Sequence, residues 1–75
     1  MTERMEKKLT PEKFSDNLKR LRKKQNISQE SLAALLGTQR AQIWRWENGN
    51  GNPTLNSLIE ISAILKVKVA DLVEQ

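Results

Sequence analysis

The stretch TQRAQIWRWENG, residues 38–49, interleaves two arginines with both tryptophans of a chain that has only three aromatic side chains. Drawn as a helix at about 100° per residue, Ile43 and Trp46 fall within about 60° of each other. Arg40, Ala41, Trp44 and Arg45 lie roughly opposite, at the i, i+1, i+4 and i+5 positions of an outward stripe. Trp46 therefore reads as core and Trp44 as displayed. A guanidinium can bond bidentately to guanine O6 and N7, and a DNA major groove accepts an α-helix. Ala41 and Trp44 suit apolar contact with thymine methyl groups, or close approach of the backbone. A stray surface aromatic, or one covered by the N-terminal arm, is the competing account of Trp44.

Gln29 is a second candidate. It opens a helix whose free N–H groups and dipole favour a phosphate, and its amide can add one more bond to that phosphate. An exposed helix-start glutamine is the plain alternative.

The elements that must hold these groups follow from start and stop signals. Residues 1–9 are charged and unpatterned and read as a mobile arm; residues 10–75 read as one domain. Thr10 and Pro11 give an N-cap and a proline at the first helical position. Phe14, Leu18 and Leu21 then form the stripe of an amphipathic helix ending near Gln25, with Asn26 as a left-handed stop. Ser28 caps a second helix over 29–36, with Ile27 and Leu32 placed as a hydrophobic staple. Gly37 ends it, and Thr38 is the expected cap of a third helix running to Asn48. After the irregular NGNGNP, Thr54 opens a fourth helix with Leu55, Leu58, Ile61 and Leu65 on one side. A short fifth helix closes the chain. KVKV alternates like a strand but has no obvious partner. The expected fold is all-α, a compact bundle of five short helices.

Composition narrows the function. With 75 residues there is room for one small domain. Cysteine and histidine are both absent, which removes disulfides, the usual zinc sites and the commonest general base. Glu30, Glu47, Glu60 and Asp71 are spread over different elements, and no phosphate loop is present. An enzyme, a metal site, a cofactor and a small-molecule ligand are therefore not expected. No apolar run approaches the roughly 18 residues of a membrane span, so a soluble, cytoplasmic protein without a membrane partner is expected. Residues 1–25 hold nine Lys/Arg against four Asp/Glu, while residues 26–75 hold four against five. That skew suggests a polyanionic partner, with a solvated helix face as the alternative.

In order, LRKKQNISQESLA, Gly37, IWRWENG and NPTLNSLIEISAILKV resemble the Cro/repressor (lambda-repressor-like, XRE) class of helix-turn-helix domains, over residues 14–72. The resemblance implies that helices two and three form the DNA-binding motif, with residues 39–48 as recognition helix. By position, Arg40, Ala41, Trp44 and Arg45 are its base-reading residues, and Gln29, Gln39, Asn48 and Asn50 its phosphate contacts. Arg22 and Glu47 match a partly buried salt bridge that pins the first helix to the third. There are three departures. NGNGNP lacks the lysine or arginine that many relatives carry there, Lys66 replaces a glycine, and Trp44 replaces a small or polar residue.

The resemblance further implies a homodimer joined through helices four and five, acting on double-stranded DNA at an inverted-repeat operator. Ile59, Ile64 and Val73 are candidate interface residues, unless they belong to a wider buried face. The settings implied are a phage or plasmid repressor, or a restriction–modification controller protein. An antitoxin-type protein that binds a partner protein and represses its own operon is the alternative.

Overall fold

The first helix of the computed structural model, α1 (Pro11–Lys24), buries the stripe of Phe14, Leu18 and Leu21 that its spacing predicts. The structure describes residues 11–74; the expected arm and the Thr10 cap lie outside the described residues. Four more helices follow: α2 (Gln29–Leu36), α3 (Arg40–Glu47), α4 (Leu55–Leu65) and α5 (Val69–Val73). No strand occurs among the described residues, and KVKV instead forms the junction of α4 with α5.

Four of these helices stop in the same way. Asn26, Gly37, Gly49 and Lys66 all take positive φ, between 57° and 79°. In each case the next residue donates its N–H back five residues: Ile27 to Arg22, Thr38 to Ala33, Asn50 to Arg45 and Val67 to Ser62, at 2.9–3.2 Å. This is the Schellman arrangement, which satisfies carbonyls that the helix end leaves open. It also corrects one expectation. Thr38 is consumed in closing α2, and Gln39 is the N-cap of α3, with no side-chain capping bond. Ser28 and Thr54 do cap α2 and α4, accepting from Ser31 and Ser57 N–H at 2.9 and 3.0 Å.

Helices this short are marginal in isolation, so packing must hold them. Leu32 and Ala33 of α2, Ile43 and Trp46 of α3, Leu58, Ile61 and Leu65 of α4 and Leu72 of α5 close over the α1 stripe. Phe14 meets Trp46 edge to face, with ring centroids 6.0 Å apart. Each fully buried large apolar side chain contributes about 1.5–3 kcal/mol. Leu55 departs from its expected side: it is 68 % exposed.

Polar side chains of α1, and of Gln25 just after it, finish the assembly. Ser15 Oγ donates to the Trp46 carbonyl, and the Gln25 amide to that of Leu65. Asn17 Nδ2 donates to Leu72 O at 3.0 Å and Glu74 O at 2.7 Å. The closing turns of α3, α4 and α5 are thus each held, through main-chain carbonyls, by side chains of α1 or of the residue just after it.

Candidate nucleic-acid interface

Ile43, Trp46 and Glu47 are buried, which fixes the rotation of α3 about its axis. With that side locked, Arg40, Ala41, Trp44 and Arg45 are all exposed. Trp46 is 6 % exposed and Trp44 47 %. The two tryptophans therefore divide between core and surface. The exposed side of α3 thus carries one large aromatic and two cations, Arg40 and Arg45, around Ala41.

The electrostatics of α3 point the same way. Arg40 is its first residue, and its first turn has no acidic side chain. A cation at a helix N-terminus opposes the helix dipole by about 0.3–1 kcal/mol, and departures from local preference of this kind concentrate at functional sites. An approaching anion would relieve it.

Beside this face lies a polar knot. Arg22 Nε donates to Glu47 Oε2 at 2.5 Å and Arg22 Nη2 to Glu47 Oε1 at 2.9 Å, with both side chains nearly inaccessible. Gln29 Nε2 donates to the same Oε1 at 2.9 Å, and Arg22 Nη1 to the Ile27 carbonyl at 2.8 Å. Burial pushes the Glu47 carboxyl up, but the bonds from Arg22 and Gln29 and the charges of Arg22 and Lys19 outweigh it and hold it below its usual range. The bond it donates to Glu47 raises the Arg22 guanidinium above its ordinary value, against the effect of burial. One ion pair thus anchors α1, the approach to α2 and the end of α3. A primary amide has two N–H donors, so Gln29 keeps one for an outside acceptor.

The remaining candidates for phosphate contact rim the same face. Gln39 is exposed at the start of α3. Asn48 is exposed and spends one amide N–H on the Trp44 carbonyl at 2.8 Å. Asn50 is exposed and uses its main-chain N–H on the Arg45 carbonyl at 2.9 Å. Among the described residues no cluster of carboxylates is placed to hold a metal ion.

Residues 18–72 match the helix-turn-helix family profile. The chain belongs to the helix-turn-helix family. Over 59 residues this helix-turn-helix domain is 39 % identical to the HTH-type transcriptional activator BcrR of Enterococcus faecalis, covering 79 % of this chain and 29 % of that protein. It is 41 % identical over 61 residues to the control protein C.MunI of Mycoplasma sp, covering 80 % and 82 %. The crystal structure of the restriction-modification controller protein C.AhdI from Aeromonas hydrophila superposes with a TM-score of 0.77 at 31 % identity, over 83 % of this chain and 90 % of that one. Hydroxypropylphosphonic acid epoxidase from S. wedmorenis contains a similar fold, with a TM-score of 0.82 at 30 % identity, over 87 % of this chain and 35 % of that one.

The helix-turn-helix unit is α2 and α3, and a second surface lies away from it on α4. Ile59 is 49 % exposed, whereas Ile64 and Val73 are half-buried against the core. Leu55, one helical turn before Ile59, is an exposed apolar residue that sequence reasoning assigned to the buried side. No helix among the described residues is long and apolar enough to cross a membrane.

Proposed function

We propose that the chain is a sequence-specific transcriptional regulator that binds double-stranded DNA as a homodimer on an inverted-repeat operator. The observation that carries this reading is the exposed face of Arg40, Ala41, Trp44 and Arg45 on a helix whose opposite side is locked into the core. An α-helix with its side chains is about 10–12 Å across, comparable with the width of the major groove that α3 would enter. Gln29, held by Glu47 at one border of that face, offers its second N–H to a phosphate, and Gln39, Asn48 and Asn50 offer further contacts along the rim.

Similarity to C.MunI and C.AhdI along most of their lengths supports a controller role, in which promoter occupancy blocks polymerase or recruits it from just upstream. The exposed Leu55–Ile59 stripe on α4 supports self-association. Two copies would set their recognition helices about one helical turn, ~34 Å, apart. The site would act in the cytoplasm by binding alone, with no chemistry on the DNA.

In vitro selection from random duplex DNA at fixed, near-physiological salt tests this. Enrichment of an inverted repeat is expected. A lone half-site would remove the dimer, and salt-sensitive background binding without enrichment would replace the proposal with a protein-binding role.

A further inference from the structure

The two arginines of α3 are set differently. Arg40 stands on the first turn. Arg45 lies toward the α3–α4 connection: a Cβ built on Gly51 would stand 3.6 Å from Arg45 Nη2. The same connection folds back onto Arg45, whose carbonyl accepts from Asn48 N–H at 3.2 Å and Asn50 N–H at 2.9 Å. Gly51 has a φ of +84°, a conformation that favours glycine, and the Arg45 guanidinium lies within van der Waals reach of where its side chain would begin. No carboxylate pairs with Arg45 among the described residues.

A helix seated in a major groove has a phosphate strand along each border. On α3 one border is the start of α2, where Gln29 is fixed to Glu47. The other is the loop of residues 48–54, NGNGNPT, which contains no lysine or arginine of its own. Resting on the DNA-binding reading above, we propose that Arg45 supplies the cation this loop lacks and clamps a backbone phosphate, leaving Arg40 as the arginine that reads a base.

This reassigns Arg45 from specificity to affinity, and the two roles leave different signatures. A phosphate contact weakens binding to all sequences alike when lost and lowers the salt slope, whereas a base contact changes the preference at one position. The test begins with the operator selected by the unsubstituted protein. Arg45→Ala, Arg45→Lys and Arg40→Ala are then titrated by fluorescence anisotropy against that operator and each of its single-base variants, across a salt series.

Arg45→Ala is expected to lower affinity for every duplex by a common factor of about tenfold and to reduce the log–log salt slope by about 1. Arg45→Lys keeps a point charge and should stay within about threefold of the unsubstituted protein. Arg40→Ala should flatten the preference at one base pair. A flattened preference at one position in Arg45→Ala, or unchanged affinity, overturns the proposal while the DNA-binding reading stands. Selection that enriches no sequence with the unsubstituted protein overturns both. Arg45 is exposed, so its substitution should leave the fold intact, which far-UV circular dichroism verifies.

Discussion

Gln29 and Glu47, eighteen residues apart in the chain, are joined by a 2.9 Å hydrogen bond that ties the start of α2 to the last residue of α3. The acceptor oxygen also receives Arg22 Nη2, so three helices meet on one carboxylate. A buried ion pair is costly to break by halves, because the surviving charge loses its partner without regaining water.

Glu47→Ala should therefore cost about 3–5 kcal/mol, read as a lowered urea midpoint, and Arg22→Ala should do the same. Glu47→Gln keeps an acceptor and should cost less than Glu47→Ala. A loss below about 1 kcal/mol in Glu47→Ala would mean that the pair does not hold the fold, since that is the range of exposed pairs.

Acid should weaken the fold through the same carboxylate. The folded-state pKa of Glu47 lies below its usual value, so its contribution is complete above the unfolded value of about 4.3 and is lost as pH falls through the folded one. Arg22, raised, stays charged throughout. Denaturant midpoints measured between pH 7 and pH 3 should fall more steeply for the unsubstituted protein than for Glu47→Gln; equal slopes would exclude Glu47 as the source.

The two tryptophans should separate cleanly. Trp46→Ala should cost about 3–5 kcal/mol, having emptied a core position. Trp44→Ala should stay within about 0.5 kcal/mol, as surface substitutions do. In Trp46→Phe, the remaining Trp44 emission should be open to acrylamide quenching and should lose that access when operator DNA is added.

Left-handed stops offer a stability test of opposite sign at two sites. Lys66 holds φ at 59° where a side chain is disfavoured, so Lys66→Gly should gain about 1 kcal/mol and raise Tm by about 4–8 °C. Gly37→Ala should lose about 1 kcal/mol, and only through backbone strain, because the added Cβ would meet nothing within 4 Å.

Self-association should depend on the α4 stripe. Ile59→Glu places a charge on a half-exposed position and should convert a dimer to a monomer in sedimentation equilibrium with the thermal midpoint nearly unchanged. Affinity for a single half-site should survive while affinity for the inverted repeat falls. A dimer that persists would move the interface elsewhere.

Periodicity and punctuation made most of the bundle legible. Ile43 and Trp46 share a helix face, Asn26 and Gly37 mark left-handed stops, and Ser28 and Thr54 mark starts, all by local chemistry that a sequence displays. Thr38 was misplaced because its hydroxyl suits an N-cap, whereas its part in closing α2 uses only its main-chain N–H, which any residue but proline supplies. Leu55 was misplaced because it lies roughly 90° from the middle of the Leu58–Ile61–Leu65 stripe, at the margin where a wheel cannot choose. Ser15, Asn17 and Gln25 were illegible for another reason. Their partners are main-chain carbonyls up to 57 residues away, and carbonyls carry no sequence signature. Arg45 lies outward on the wheel, and only the path of the loop brings its guanidinium beside Gly51.

The α1 side chains that grip other helices also dictate when the domain can be finished. α1 precedes α5 in synthesis, and Asn17 needs the carbonyls of Leu72 and Glu74, which follow it by 55 and 57 residues. Until those two residues are made, the Asn17 amide lacks these acceptors and Leu72 is missing from the apolar surface that covers α1. Docking of α5 on α1 therefore waits for residues 72–74, and a chain broken before α5 would lack both the Asn17 bonds and the Leu72 core contact.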